Sequence, residues 1–164
     1  MRVYIPATLA MLQRLVADGS LQPLSGTAFA VTPTLRESYA EGDDEELAEV
    51  ALGEAALASL RLLAGEESDL PPRRAVLVAE AEGATVRPDL DDAVVRLAGP
   101  VALADVLAAY VDNAAAESAV LAAVAVVDAA DLGDEDAELT VGDAQDHDLA
   151  WYATQELPFL LDLL

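Results

Sequence analysis

The chain has no cysteine, no lysine, one histidine and one isoleucine among its 164 residues. Without cysteine there is no disulfide framework, thiolate zinc site, iron–sulfur cluster or cysteine nucleophile. A lone histidine, His147, rules out a two-histidine metal site within one chain. Eight arginines stand against 31 acidic residues, a formal net charge of -23. Phosphate backbones and anionic lipid surfaces are bound through Lys and Arg, and Leu97 to Leu164 contains neither, so no nucleic-acid and no membrane partner is expected. The most apolar stretch, Ala114 to Ala130, is interrupted by Glu117 and closed by Asp128, which leaves it short of the ~20 residues that cross a bilayer. The opening Met1-Arg2-Val3-Tyr4-Ile5 has no charged region leading into an apolar one, so a cytoplasmic location is expected.

What is present is alanine. The hydrophobic fraction is 54%, much of it Ala, which favours closely packed helices. The length suits one domain, 1–164. The acidity fits a salt-adapted proteome, a basic partner, or solubility through like-charge repulsion.

Along the chain, Arg2 to Ile5 reads as a strand ended by Pro6. Thr8 then caps a helix with Leu9, Leu12, Leu15 and Val16 at helical spacing, stopped by Gly19. Ala28 to Thr32 reads as a second strand, and Thr32-Pro33 as N-cap and first helical residue. Asp43 with Glu46 opens the longest helix, Glu45 to Ala64, with acids massed in its first turn where the dipole favours them. Arg73 to Glu82 and Ala93 to Leu97 are candidate strands of one hairpin, and Val106 to Val111 reads as a further strand. Ala114 to Ala130 reads as a helix, 131–146 as an acidic loop, and 148–164 as a terminal helix interrupted at Pro158. The sum is a single α+β domain: a mixed four- to five-stranded sheet with helices packed on it.

The catalytic and metal motifs sought do not appear. The acids from Asp131 to Glu138 lack the Gly and Glu spacing of an EF-hand. No serine sits in a Gly-x-Ser-x-Gly turn, and His147 is placed as a first-turn helix residue. Neither a Walker A sequence nor a Gly-x-Gly-x-x-Gly turn can be drawn, and no cofactor is called for. The terminal segment is more informative. At 100° per residue Leu149, Ala153, Leu157 and Leu160 share a face, with Trp151, Gln155 and Phe159 roughly opposite. Two apolar faces need two partners. Glu156 falls near the leucine face, so its carboxylate is either a buried partner for Arg2, Arg36, Arg74 or Arg96, or the polar end of a ligand pocket with Tyr152 and Gln155.

Four segments, Met1-Arg-Val-Tyr-Ile-Pro-Ala-Thr8, Ala28-Phe-Ala-Val-Thr-Pro-Thr-Leu-Arg36, Tyr110-Val-Asp112 and Leu149-Ala-Trp-Tyr-Ala-Thr-Gln-Glu-Leu157, resemble an actinobacterial family of uncharacterised proteins. The resemblance departs at Tyr110, where the family pattern has histidine, and it implies no activity and no catalytic residue. The expectation is a non-enzymatic interaction or regulatory module, self-associating as a homodimer through Trp151 and Phe159. The alternatives are a small-molecule binder or enzyme using Tyr152, Gln155 and Glu156, and an acidic decoy for a basic protein partner.

Overall fold

A computed structural model describes all residues, 1–164. Six helices pack on a seven-stranded antiparallel sheet. In chain order the elements are β1 (Arg2–Ala7), α1 (Leu9–Asp18), β2 (Ser20–Leu21), β3 (Thr27–Phe29), α2 (Pro33–Ser38), α3 (Asp44–Ala64), β4 (Ala75–Glu80), β5 (Thr85–Val86), β6 (Val94–Arg96), β7 (Val101–Ala102), β8 (Val106–Val111), α4 (Glu117–Asp131), α5 (Glu135–Gln145), β9 (Ala150–Ala153) and α6 (Leu157–Asp162). The large sheet runs β5–β6–β3–β1–β4–β8–β9, while β2 and β7 form a separate two-stranded ribbon.

Alternation along the strands builds two cores. Val3, Ile5 and Ala7 of β1 and Ala75, Leu77 and Ala79 of β4 meet α1 and α6 on one face, where Leu9, Leu12, Leu15, Leu157 and Leu160 are buried. Tyr4, Phe29, Val76, Val78 and Val94 meet Leu47, Ala51 and Ala55 of α3 on the other. A third cluster, Leu60 with Val120, Ala123, Val127, Val141 and Ala144, seats the α4–α5 pair on the outside of α3.

The expected caps are present. Thr8 and Asp43 accept from the N–H groups of Met11 and Glu46, Thr32 from that of Leu35, and Gly19 closes α1 at φ 78°. Gly26 has φ 68°, and a Cβ there would meet the Leu97 carbonyl oxygen at 2.9 Å, so the turn into β3 admits no side chain.

Five expectations are corrected. The sheet has seven strands, all antiparallel, in place of a mixed sheet of four or five: the two-residue β5 carries too little pattern to be read, and β9 lay within the segment read as helix. β1 continues through Pro6, which pairs with Val76, because loss of one N–H leaves the flanking ladder to β4 intact. β4 and β6 are not a hairpin: β4 lies between β1 and β8, and β6 between β3 and β5. The acidic loop 131–146 contains a helix, α5, capped by Asp134 through the Ala137 N–H, with Glu135, Asp136 and Glu138 in its first turn, Ala137 buried, and Val141 and Ala144 packed in the cluster with α4. The terminal helix 148–164 is instead strand β9, a 3-10 turn (Thr154–Glu156) and the short α6. No helix is long and apolar enough to cross a membrane.

One carboxylate on α3 is poorly placed. Burial pushes the Glu54 carboxyl above its ordinary range, Asp91 adds to this, and Arg61 offsets part of it. The folded pKa is raised, so the ionised form costs stability above that pKa and the cost vanishes below the unfolded value. Glu54→Gln is therefore expected to raise the melting temperature at pH 7 and to have no such effect below about pH 4. A gain independent of pH would assign the effect to packing instead.

Candidate functional site

The end of the sheet where β1 stops and β4 begins carries an unusual pair of charges. Arg74 precedes β4 and Asp112 follows β8, and the register Ala75↔Val111 sets them opposite each other. The Asp112 N–H donates to the Arg74 carbonyl at 3.0 Å, and the Arg74 N–H donates to Asp112 Oδ2 at 2.8 Å. Arg74 Nε and Nη2 donate to Asp112 Oδ2 and Oδ1, both at 2.8 Å. The side chains are 3% and 0% exposed. A charge so buried is tolerable only when paired, and the three hydrogen bonds from Arg74 to the Asp112 carboxylate supply that pairing.

The pair also positions the chain before β9. Arg74 Nη2 donates to the His147 carbonyl at 2.8 Å, which fixes the segment between α5 and β9. His147 is half-buried there and starts no helix, contrary to the sequence reading. A cleft of about 450 Å³ opens beside it, between α3 and residues 145–149.

β9 pairs with β8 through Val111↔Ala150, Tyr110↔Trp151, Ala109↔Tyr152 and Ala108↔Ala153, and has no neighbour on its other side. Trp151, 57% exposed, lies on the sheet face of its cross-strand partner Tyr110, which packs against the α3 core. Tyr152 points to the opposite face and packs on the α1–α6 core. The Ala153 N–H donates to Glu156 Oε1 at 2.9 Å, so it faces away from β8. By alternation the N–H and C=O of Trp151 face outward as well.

The predicted site residues therefore separate. Glu156 is exposed and spent on the turn leaving β9; it is not a buried partner for arginine. Arg74 is the buried arginine of the four considered, but its carboxylate is Asp112. Gln155 lines a cleft of about 490 Å³ with Val16, Leu107 and Pro158. Phe159, 73% exposed, sits on α6, which covers the face opposite Trp151. The helical wheel that joined these residues fails because a strand turns successive side chains by 180°. Asp112 was visible as an acid closing an apolar strand, and Arg74 as a base opening one, but only the β4–β8 pairing joins them.

The chain belongs to a family of unknown function, DUF6912, which matches residues 1–161. Neither the curated proteins nor the solved structures compared with it contain a match.

Removing one partner of the buried pair strands the other charge. Asp112→Asn is expected to cost about 3–5 kcal/mol in urea unfolding. Asp44→Asn, at the exposed pair with Arg36, should cost under about 1 kcal/mol. Equal losses from the two variants would show that burial does not set the importance of the Arg74 pair.

Proposed function

We propose that this protein is a non-enzymatic interaction module that self-associates along the outer edge of β9. The observation that carries the reading is Trp151, more than half exposed on an unpaired edge strand whose four residues, Ala-Trp-Tyr-Ala, bear no charge in a chain of net charge -23. Exposed sheet edges are ordinarily shortened, charged or interrupted by proline. The other edge of this sheet follows that practice: β5 has two residues and runs into Arg87-Pro88. β9 keeps an aromatic side chain of the kind that anchors interfaces, and the outward N–H and C=O of Trp151 offer a second strand its hydrogen bonds. Phe159, the other exposed aromatic of this region, lies on the helix that follows, which covers the opposite face of the sheet.

A second reading, an acidic surface that engages a basic protein, draws support from α5. The acids Glu135, Asp136, Glu138 and Asp143 are exposed on a rigid helix, where the sequence had suggested a loop.

Salt separates the two readings, because like-charged copies repel until screened while opposite charges lose attraction. Light scattering after size exclusion is expected to show dimers that strengthen toward about 1 M salt, where the Debye length is about 3 Å. Trp151→Asp should yield folded monomers with an unchanged circular-dichroism spectrum. Wild-type monomers across that range would end the self-association reading. Capture of a basic protein that weakens with salt and survives Trp151→Asp would transfer the function to the acidic helices.

A further inference from the structure

We propose that the cleft between α3 and residues 145–149 binds a small zwitterion, an α-amino acid with an apolar side chain. This inference rests on atoms other than those of the β9 edge. Arg74 lines the cleft and is 2% exposed as a residue. Its Nε and Nη2 are committed to Asp112 and to the His147 carbonyl, while Nη1 has no hydrogen-bond partner. The one fully buried side-chain polar atom without a partner is Nε of Arg96, so Arg74 Nη1 is not sealed off, and the cleft is the space its residue lines. A guanidinium nitrogen of a nearly buried side chain, whose orientation Asp112 fixes, is thus left without a protein partner beside a space of about 450 Å³. That is within the ~300–1,000 Å³ of small-molecule sites.

The rim decides what acceptor suits this donor. Glu49 and Asp148 line the same cleft, both exposed, and neither takes part in an ion pair. A simple anion is repelled by these two carboxylates and by the net charge of the chain. A simple cation leaves the Arg74 hydrogens unmatched. A carboxylate and an ammonium on one carbon answer both demands, the carboxylate on Nη1 and the ammonium toward the rim. Leu52, Ala56 and Leu149 supply apolar wall for a side chain.

The test is an amide-resolved NMR titration with leucine, leucinamide, 3-methylbutylamine and 4-methylpentanoate. Leucine is expected to shift the amides of Gly53 and Leu149 saturably at millimolar concentration, with the other three at least about tenfold weaker. Glu49→Gln, at an exposed position that leaves the fold intact, should weaken leucine binding and reduce the preference over 4-methylpentanoate. Arg74 is a poor test position because its ion pair holds the sheet end. No saturable shift with leucine overturns the proposal, as does equal binding by the amine or the acid alone, or shifts confined to residues outside the cleft. None of these outcomes depends on whether Trp151 mediates self-association.

Discussion

One end of the sheet constrains the rest of the molecule. The row Ala7, Ala75, Val111 and Ala150 marks it across β1, β4, β8 and β9. Four of the five buried polar or charged residues, Thr8, Ser59, Arg74 and Asp112, gather there. Asp112 receives three donors from Arg74, two from the guanidinium and one from the backbone. An ion pair so buried is a poor source of net stability compared with apolar packing, but it is intolerant of misalignment. A one-residue slip of β8 against β4 would strand both charges and turn every β8 side chain to the wrong face. The pair therefore specifies register, and through the His147 carbonyl it carries that specification to β9.

The need for such devices follows from the composition. Ala51, Ala55, Ala75, Ala79, Ala109, Ala123 and Ala144 are all buried, and alanine surfaces slide over one another with little preference for one alignment. The polar pins supply what the side-chain shapes do not. Ser59 is the clearest case. Its hydroxyl donates to the Ala7 carbonyl at 2.7 Å and accepts from the Ala75 N–H at 3.1 Å, so one side chain fixes the C-terminal part of α3 on two strands. Thr8 caps α1 and donates to Glu66 at 2.6 Å, bringing the loop after α3 to the same place. Each satisfied group costs little, and each would be expensive to leave unmatched in a competing alignment.

Local chemistry was legible in the sequence and long-range pairing was not. Caps at Thr8, Thr32 and Asp43 and the glycine at the end of α1 rest on contacts within a few residues, and those readings hold. The β4–β8 pairing joins residues 38 apart, and no local signal distinguishes it from a hairpin of β4 with the next strand. Two misreadings have separate causes, composition weighted over cap chemistry in one and an accidental helical period in the other. In α5, the acids suggested solvent and loop, while Asp134 followed by Ala137, Val141 and Ala144 carried the helical spacing. In β9, apolar residues matched a helical wheel over a span that includes a four-residue strand and a turn.

The same correction changes how the acidity should be understood. Carboxylates on α3, α4 and α5 form the outer surface of the helical layers, since α3 begins with three acids, α4 ends on Asp131 and α5 begins with three more. The pairing of Arg61 with Asp131 at 2.9 Å holds the carboxyl of Asp131 below the usual carboxylate range, yet it neutralises only one of them. Arg36 with Asp44 and Arg73 with Glu117 neutralise two more, and the unpaired remainder repel any second copy that approaches on those faces. β9 interrupts this pattern, with no charge between Asp148 and Glu156. A field that opposes contact over the helical layers and relaxes along one uncharged strand would orient an encounter between two such chains without any attractive charge. Under the proposed self-association, the acids supply orientation and Trp151 supplies affinity, so high net charge and dimerisation are compatible in this chain.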